Sequence, residues 1–260
     1  MDISLINSYN EQDSSCHRID ARAKFIFTLL FILCIILTPP DNWSAYIAYF
    51  ITIISLISLA RLPGRYVLKR SLIVMPFVLM LAIFIPFFKE GEIAGSYNIR
   101  SWNLTVTYDG IQVMTNLLIK AWLSMLGLIW LTSTTKTNDL FHALGRLHLP
   151  QVLVMILSFM YRYIFVIIDE MMRMKQARDS RNFGGGKLWQ LRTIGNMIGT
   201  LFIRSYERSE RVYAAMISRG FDGQTRTLDN LNFRRSDIFF IITLVIILAA
   251  INIVNLLVLN

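Results

Sequence analysis

Two arginines occupy the same local context at two places in the chain. The segments ARDSRNFGG (177–185) and AMISRGFDG (215–223) share the pattern A-x-x-S-R-x-F, which makes Arg181 equivalent to Arg219. A planar guanidinium forms several hydrogen bonds in fixed directions, so it suits docking into an acidic or carbonyl-lined groove. Capping is the simpler interpretation, because a cation at a helix C-terminus is favoured by the helix dipole. The repetition at two helix ends favours docking, and it predicts two similar partner subunits.

No other group of residues in the sequence predicts a catalytic, phosphate-binding or metal-binding site. FGGGKLW (183–189) has glycines before a lysine, but it lacks the spacing and the following hydroxyl residue of a phosphate-binding loop, so any ATP must be bound by a partner. The acidic pair Asp169–Glu170 is more typical of an ion pair within a helical module than of acid–base machinery. We predict no catalytic residue, no metal site and no cofactor, because the cysteines and histidines show no ligand spacing. These residues are Cys16, Cys34, His17, His142 and His148.

The composition indicates an integral membrane protein. Of the 260 residues, 55% are hydrophobic and only 17% are charged, whereas soluble domains have about 25% charged residues. The net charge of +9 is typical of basic cytoplasmic loops in a membrane protein. Basic residues between 169 and 236 are mixed with seven acidic ones and form no stripe, which argues against a nucleic-acid partner.

Several segments are apolar enough for a helix that crosses the lipid bilayer, which needs about 20 mostly apolar residues. The stretch 152–168 is one candidate, but Arg162 at its centre would be costly in the hydrocarbon core. We prefer a long helix that begins in the membrane interface there, with a true span as the alternative. A cleaved signal peptide is disfavoured, because no small-residue cleavage site follows the first apolar segment. The five predicted spans are 25–38, 43–60, 71–88, 111–132 and 237–259.

The distribution of basic residues predicts the orientation. They precede the first span and lie between the second and third, whereas the loop 39–42 has none and none follows the fifth span. By the positive-inside rule, the N-terminus is cytoplasmic and the C-terminus is external. The external stretch 99–110 alternates with period two and predicts a small hairpin. We predict a membrane domain (1–132) with four helices, a cytoplasmic module (133–236) with 16 of the 26 basic residues, and a last transmembrane helix (237–260).

The cytoplasmic module is predicted to contain three helices, which makes the fold class all-α. The first helix is short and is capped by the polar residues 137–139. The second begins at Pro150, since proline suits the first turn of a helix, and it ends at the glycines 184–186. The third runs from about Leu188 to Gly220, a residue type that commonly ends helices.

These features resemble the transmembrane (T) component of energy-coupling factor (ECF) transporters, the EcfT/CbiQ family. The resemblance covers nearly the whole chain and is strongest in HRIDARAK (17–24), YRYIFVIIDEMMRM (161–174) and RSYERSERVYAAMISRGFDG (204–223). It looks most like the cobalt/nickel branch, CbiQ. In this family, two cytoplasmic coupling helices each end in an x-Arg-x motif, commonly Ala-Arg-Gly. Each motif docks into a groove of one of two ATP-binding subunits.

The resemblance implies which residues couple this chain to the ATPases. Both matching triplets depart from Ala-Arg-Gly, the first at both flanks, while they keep the arginine. A rival placement at Ala177-Arg178-Asp179 conflicts with the internal repeat, in which Arg178 aligns with Met216. The predicted coupling residues are Ser180, Arg181, Asn182, Phe183, Ser218, Arg219, Gly220 and Phe221.

The function implied by the resemblance is that of a non-enzymatic coupling subunit of an ATP-driven importer in the cell membrane. The implied partners are two ATP-binding cassette ATPase subunits and a substrate-binding (S) membrane subunit, with cobalt or nickel ion as the cargo. One alternative is the T component of a vitamin importer. Another is a self-contained secondary transporter, which would need a polar constellation at mid-membrane, where only Lys120 lies. A membrane-bound enzyme would need clustered His, Asp or Glu, which the sequence lacks.

Overall fold

The computed structural model describes residues 19–40, 42–88, 93–99, 102–147, 149–181, 186–223 and 235–259. Five residues discussed above lie outside these ranges: Cys16, His17, His148, Asn182 and Phe183. Backbone contacts divide the chain into a core unit (Met1–Leu140 with Asn230–Asn260) and a paired-helix unit (Phe141–Asp229). The elements are α1 (Ala21–Leu37), α2 (Trp43–Leu59), α3 (Gly64–Ala82), α4 (Ile85–Phe88), β1 (Ile93–Ile99), β2 (Trp102–Thr107), α5 (Tyr108–Thr134), α6 (Thr137–Arg146), α7 (Gln151–Asp179), α8 (Lys187–Ile217) and α9 (Arg235–Leu259).

The prediction of an all-α polytopic membrane protein is confirmed, apart from the small β1–β2 hairpin. Helices coincide with all five predicted spans. The span 71–88 is covered by α3 and α4 together, and the other four are covered by α1, α2, α5 and α9. Within the described residues, three helical stretches are long and apolar enough to cross a membrane, and two apolar helices are shorter. The long ones are Gly64–Phe88, Tyr108–Thr134 and Gln151–Asp179, and the shorter ones are Trp43–Leu59 and Asp237–Asn252.

The third predicted span is interrupted near its end. Helix α3 stops at Ala82, and α4 resumes only at Ile85. Pro86 explains the break, since proline has no N–H for the helical ladder and its ring clashes with the preceding turn. Pro76 lies inside α3 without ending it.

The predicted hairpin exists, but its predicted bounds are wrong. β1 and β2 pair antiparallel, with Ile99 opposite Trp102. Residues 108–110, assigned to the hairpin from sequence, form the first turn of α5 instead. Asp109 favours that helix start, because a carboxylate in the first turn complements the positive end of the helix dipole.

The hydrophobic core of the core unit lies around α1. Phe27 and Phe31 are fully buried on α1, and Trp130 of α5 is fully buried beside them. The rings of Phe27 and Trp130 meet edge to face at 5.8 Å, and those of Phe31 and Tyr49 at 5.9 Å. Such pairs add roughly 0.5–1.5 kcal/mol to the burial of the rings. The core therefore fixes α1, α2 and α5 against one another.

Buried charged residues connect three helix ends in the same unit. Lys24 in the first turn of α1 is 1% exposed, and its Nζ donates to the carbonyl oxygen of Thr134 at the end of α5 at 2.9 Å. The backbone N–H of Asp20 donates to the carboxylate of Asp237 at the start of α9 at 3.3 Å. The Asp20 carboxylate accepts from the N–H of Arg22 at 3.0 Å and so caps α1. Asp20 and Lys24 thus hold the starts of α1 and α9 at the end of α5.

The charge inside the fourth predicted span also has a structural role. The Nζ of Lys120 donates to the carbonyl oxygens of Ile36 at 2.9 Å and Thr38 at 2.7 Å. These are end carbonyls of α1, and Pro39 and Pro40 follow them without N–H groups of their own. A cation at a helix C-terminus satisfies such carbonyls. Lys120 therefore caps the C-terminal end of α1.

Candidate functional site

The two arginine motifs lie at the ends of the two longest helices. Helix α7 starts after Pro150, whose fixed backbone angle suits that position, and helix α8 starts after Gly186. They contain 29 and 31 residues. Both predicted helices are confirmed, with bounds that differ by a few residues from those expected. Helices longer than about 15 residues can persist without extensive packing.

The end of α7 places Ser180 and Arg181 in one helical turn. The backbone N–H of Ser180 donates to the carbonyl oxygen of Gln176 at 3.0 Å, and the N–H of Arg181 donates to that of Arg178 at 3.2 Å. The Ser180 Oγ also donates to the Gln176 carbonyl at 2.6 Å. The last carbonyls are thus bonded by backbone and serine groups, and the arginine side chain is not needed for that purpose.

The end of α8 repeats this arrangement. The N–H of Ser218 donates to the carbonyl oxygen of Ala214 at 3.0 Å, the Ser218 Oγ donates to the same carbonyl at 3.0 Å, and the N–H of Arg219 donates to Met216 at 3.0 Å. The internal sequence repeat is therefore also a repeat of local structure, with serine in the same role at both ends.

A glycine closes the second end. Gly220 has a φ of +78°, a left-handed conformation that side chains disfavour. Its N–H donates to the carbonyl of Ile217 at 2.9 Å, and the N–H of Phe221 donates to that of Met216 at 3.1 Å. This pair of bonds is the Schellman motif, which ends helices sharply. Arg219 therefore lies on a well-defined helix end, directly before the chain turns away.

Both guanidinium groups are available for a partner. Arg181 and Arg219 are exposed, and neither side chain makes a hydrogen bond or an ion pair with another residue that the structure describes. The rival Arg178, in contrast, donates to the carboxylate of the adjacent Asp179 from Nε at 2.9 Å and Nη2 at 2.8 Å. Asn182 and Phe183 of the first motif are not among the described residues, whereas Phe221 is half-buried beside the second.

An ion pair joins α7 to α8. The Glu170 carboxylate accepts a hydrogen bond from Arg204 of α8 and another, at 3.0 Å, from Arg173 of its own helix. Glu170 follows the apolar stretch 152–168 in the chain. The predicted ion pair within the helical module is confirmed for Glu170.

The two long helices leave much apolar surface uncovered. None of the side chains of α7 is buried, and the same holds for α8 from Leu188 onward. Leu188 is 84% exposed, Phe202 73% and Leu191 64%. A contiguous apolar surface of this kind marks contact with another protein or with the membrane.

The described residues hold no group of three or more His, Cys, Asp or Glu side chains that could bind a metal ion. His142 lies in α6, and Cys34 is a free, half-buried cysteine of α1.

Comparison with known proteins agrees with the resemblance to the EcfT/CbiQ family. The family model of CbiQ, cobalt transport protein, matches residues 12–230. A putative fused cobalt transport protein CbiMQ of Methanocorpusculum labreanum is 28% identical over 216 residues, which cover 81% of this chain and 35% of that protein. The energy-coupling factor transporter transmembrane protein EcfT of Ruminiclostridium cellulolyticum is 26% identical over 247 residues, 90% of each chain. An uncharacterized protein of Methanocaldococcus jannaschii is 24% identical over 251 residues, 94% of this chain and 84% of that protein.

The family match spans most of the chain and includes both arginine motifs and the helices that carry them. The chain therefore belongs to the CbiQ/EcfT family, the transmembrane (T) components of energy-coupling factor transporters.

Proposed function

We propose that this T component transmits the motion of two ATPase subunits through Arg181 and Arg219 to a substrate-binding membrane subunit. T components of this family are non-catalytic, and the ATPase is a separate partner. The observation that carries the proposal is the pair of equivalent helix ends, each with an exposed arginine that no described residue engages. Each arginine would enter a groove on one ATP-binding cassette subunit, and nucleotide-driven closure of the ATPases would then shift the two helix ends.

The orientation and the domain boundaries form part of this proposal. The module 133–236 and the N-terminus would be cytoplasmic, with the C-terminus external, because the basic residues concentrate in that module. A cytoplasmic location of both arginines is a condition for contact with ATPases. The membrane domain 1–132 and the last helix 237–260 would anchor the module.

The exposed apolar faces of α7 and α8 would hold the substrate-binding subunit. Leu191, Ile198 and Phe202 of α8 are more than half exposed, and charged residues are sparse between them. Methionines are frequent on both helices, and flexible thioethers suit a surface that repacks against a moving partner. They are Met155, Met160, Met171, Met172, Met174, Met197 and Met216.

The proposed cargo is cobalt or nickel ion. The description of the matching family model and the name of the fused CbiMQ relative support this choice. The relatives named EcfT carry no cargo in their names, so a T component of a vitamin importer is the second candidate. Uptake of radioactive cobalt or nickel by cells that express the complete transporter distinguishes the two.

The coupling proposal is tested by co-purification with co-expressed ATP-binding cassette ATPase subunits of the same transporter. The variants are Arg181→Glu, Arg219→Glu and the double variant, and the measured quantity is moles of ATPase per mole of this chain. Reversing a charge that docks in a groove costs about 2–5 kcal/mol, so the double variant should lose the ATPase. Arg192→Glu is the matched control, since Arg192 is an exposed arginine of α8 that lies outside both motifs. Full retention of ATPase by the double variant would show that the arginines are not the coupling residues.

A further inference from the structure

A groove of about 670 Å³ lies between α7 and α8 within the paired-helix unit. Its volume falls in the range of about 300–1,000 Å³ that is typical of small-molecule sites. The α7 side is formed by apolar and aromatic side chains together with Glu170, and the α8 side carries several arginines. The residues that matter for binding are Phe159, Met160 and Tyr163 on α7 and Arg204, Arg208 and Arg211 on α8.

The apolar wall belongs to a helix that is suited to contact with lipid. The apolar part of α7 is long enough to cross a membrane, and none of it is buried. Met160 is 56% exposed, and the neighbouring Ile156 and Ile167, which also line the groove, are 51% and 37% exposed. An acyl chain along this wall would cover apolar surface that water otherwise contacts.

The opposite wall carries an excess of positive charge. Arg204 is paired with Glu170, the acidic residue among those that line the groove. Arg211 has only a loose contact with Glu207, at 3.8 Å, and both side chains are exposed. Arg208 makes no hydrogen bond or ion pair with any residue in the described ranges. Two guanidinium groups are thus left to attract an anion beside an apolar surface.

We propose that this groove binds an anionic phospholipid. The phosphate of the headgroup would lie against Arg208 and Arg211, and an acyl chain would follow Phe159, Met160 and Tyr163. Basic pockets beside membrane helices bind anionic lipid headgroups, and each arginine near such a headgroup strengthens binding severalfold. The lipid is favoured over a protein helix, because the net charge of the groove matches a phosphate and a bilayer surrounds any polytopic membrane protein. This site uses neither Arg181 nor Arg219, so it does not depend on the proposed contact with the ATPases. It shares Met160 with the surface proposed to hold the substrate-binding subunit, so it is tested on the chain without that subunit.

Lipid retention measured by native mass spectrometry tests the site. The purified full-length chain is titrated with phosphatidylglycerol or with phosphatidylcholine in mixed micelles, and the bound lipids per chain are counted. Arg208→Gln/Arg211→Gln should weaken phosphatidylglycerol binding by about 10- to 30-fold and leave phosphatidylcholine binding unchanged. Arg192→Gln is the matched control, since Arg192 is an exposed arginine of α8 that does not line the groove.

A second variant tests the apolar wall without changing the charge. Met160→Trp should fill part of the groove and reduce retention of phosphatidylglycerol, while the melting temperature stays close to that of the wild type. Equal retention of the two lipids by the wild type would overturn the proposal. So would an equal loss in the Arg192→Gln control, or unchanged retention in Met160→Trp. In the assembled transporter, cross-linking of a cysteine at position 160 to the substrate-binding subunit would instead identify the groove as a protein interface.

Discussion

The two units of this chain use long apolar helices in opposite ways. In the core unit, Phe27, Phe31 and Trp130 are 0–1% exposed, and buried polar contacts tie α1 to α5 and α9. In the paired-helix unit, α7 buries no side chain at all, and Phe202 of α8 is 73% exposed. The first pattern stabilises a fold. The second pattern leaves apolar side chains of α7 and α8 exposed, where they are open to contact with a partner or with lipid.

The difference between the two units fits the proposed coupling role, which would need both a stable part and a movable part. Helices of 29 and 31 residues are well above the length of about 12–15 residues below which an isolated helix is marginal in water. Few packed contacts oppose a change in the position of α7 relative to α8, while the core unit resists deformation as other close-packed interiors do. A core unit that resists deformation and a loosely packed helical pair are the properties that the proposed transmission of ATPase motion would require.

The largest expected effect is the difference in the free energy of unfolding between two variants, Trp130→Ala and Phe202→Ala. Trp130→Ala removes a fully buried side chain from the core and should lower the free energy of unfolding by about 3–5 kcal/mol. Phe202→Ala removes a side chain of comparable size that is mostly exposed, so it should change that free energy by less than about 0.5 kcal/mol. Unfolding of both purified variants in a denaturing-detergent titration measures the difference.

The complex should respond in the reverse order. Phe202→Ala should reduce co-purification of the substrate-binding subunit, because the apolar faces of α7 and α8 are proposed to hold it. If Phe202→Ala destabilises the isolated chain as much as Trp130→Ala, the distinction between the two units is wrong. If it leaves both stability and co-purification unchanged, this part of α8 does not bind that subunit.

Local signals in the sequence were sufficient to predict the helices and the arginine motifs. Pro150 and Gly220 mark helix ends through their backbone geometry, and the repeat around Arg181 and Arg219 is visible without a structure. Long apolar runs likewise predicted the candidate spans, because the thickness of the bilayer sets the length of a helix that crosses it.

Contacts between distant residues could not be predicted in the same way. Lys24 and Thr134 meet across three intervening helices in the sequence, and nothing in the local pattern pairs them. The partner of Glu170 was predicted only as a basic residue nearby, and Arg204 on the next helix takes that role together with Arg173. The break before Pro86 was missed, because membrane helices tolerate proline in some positions and not in others.

The second effect concerns the buried polar contacts of the core unit. Lys24→Met keeps much of the side-chain volume but removes the hydrogen bond from Nζ to Thr134, which should cost about 1.5–3 kcal/mol. Lys69→Met is the matched control, since Lys69 is an exposed lysine of α3 for which that cost does not arise. Thermal unfolding of both variants in the same detergent measures the difference. A control that melts as early as Lys24→Met would mean that loss of surface charge, and not the buried contact, determines the result.

The smallest expected change in stability comes from glycine variants of α8, and these variants test the geometry of the helix end that carries Arg219. Gly220→Ala forces a side chain into a left-handed conformation and should destabilise the Schellman motif by about 1 kcal/mol. Gly199→Ala should change the stability of the same helix in the opposite direction. Gly199 lies inside α8 with open space around it, so alanine there should stabilise the helix by about 0.5–1 kcal/mol. Amide hydrogen exchange at residues 217–221 measures the first change, and exchange at 196–203 measures the second.

The pair of glycine variants separates the shape of the helix end from the charge it presents. Gly220→Ala leaves Arg219 in place, so it should loosen ATPase binding less than Arg219→Glu does, because the guanidinium remains but its position becomes less defined. Gly199→Ala should leave ATPase binding unchanged. Equal losses in Gly220→Ala and Arg219→Glu would mean that the turn after α8 itself contacts the ATPase. Unchanged binding in Gly220→Ala, with faster exchange at 217–221, would mean that the arginine docks from a frayed helix end as well as from an ordered one.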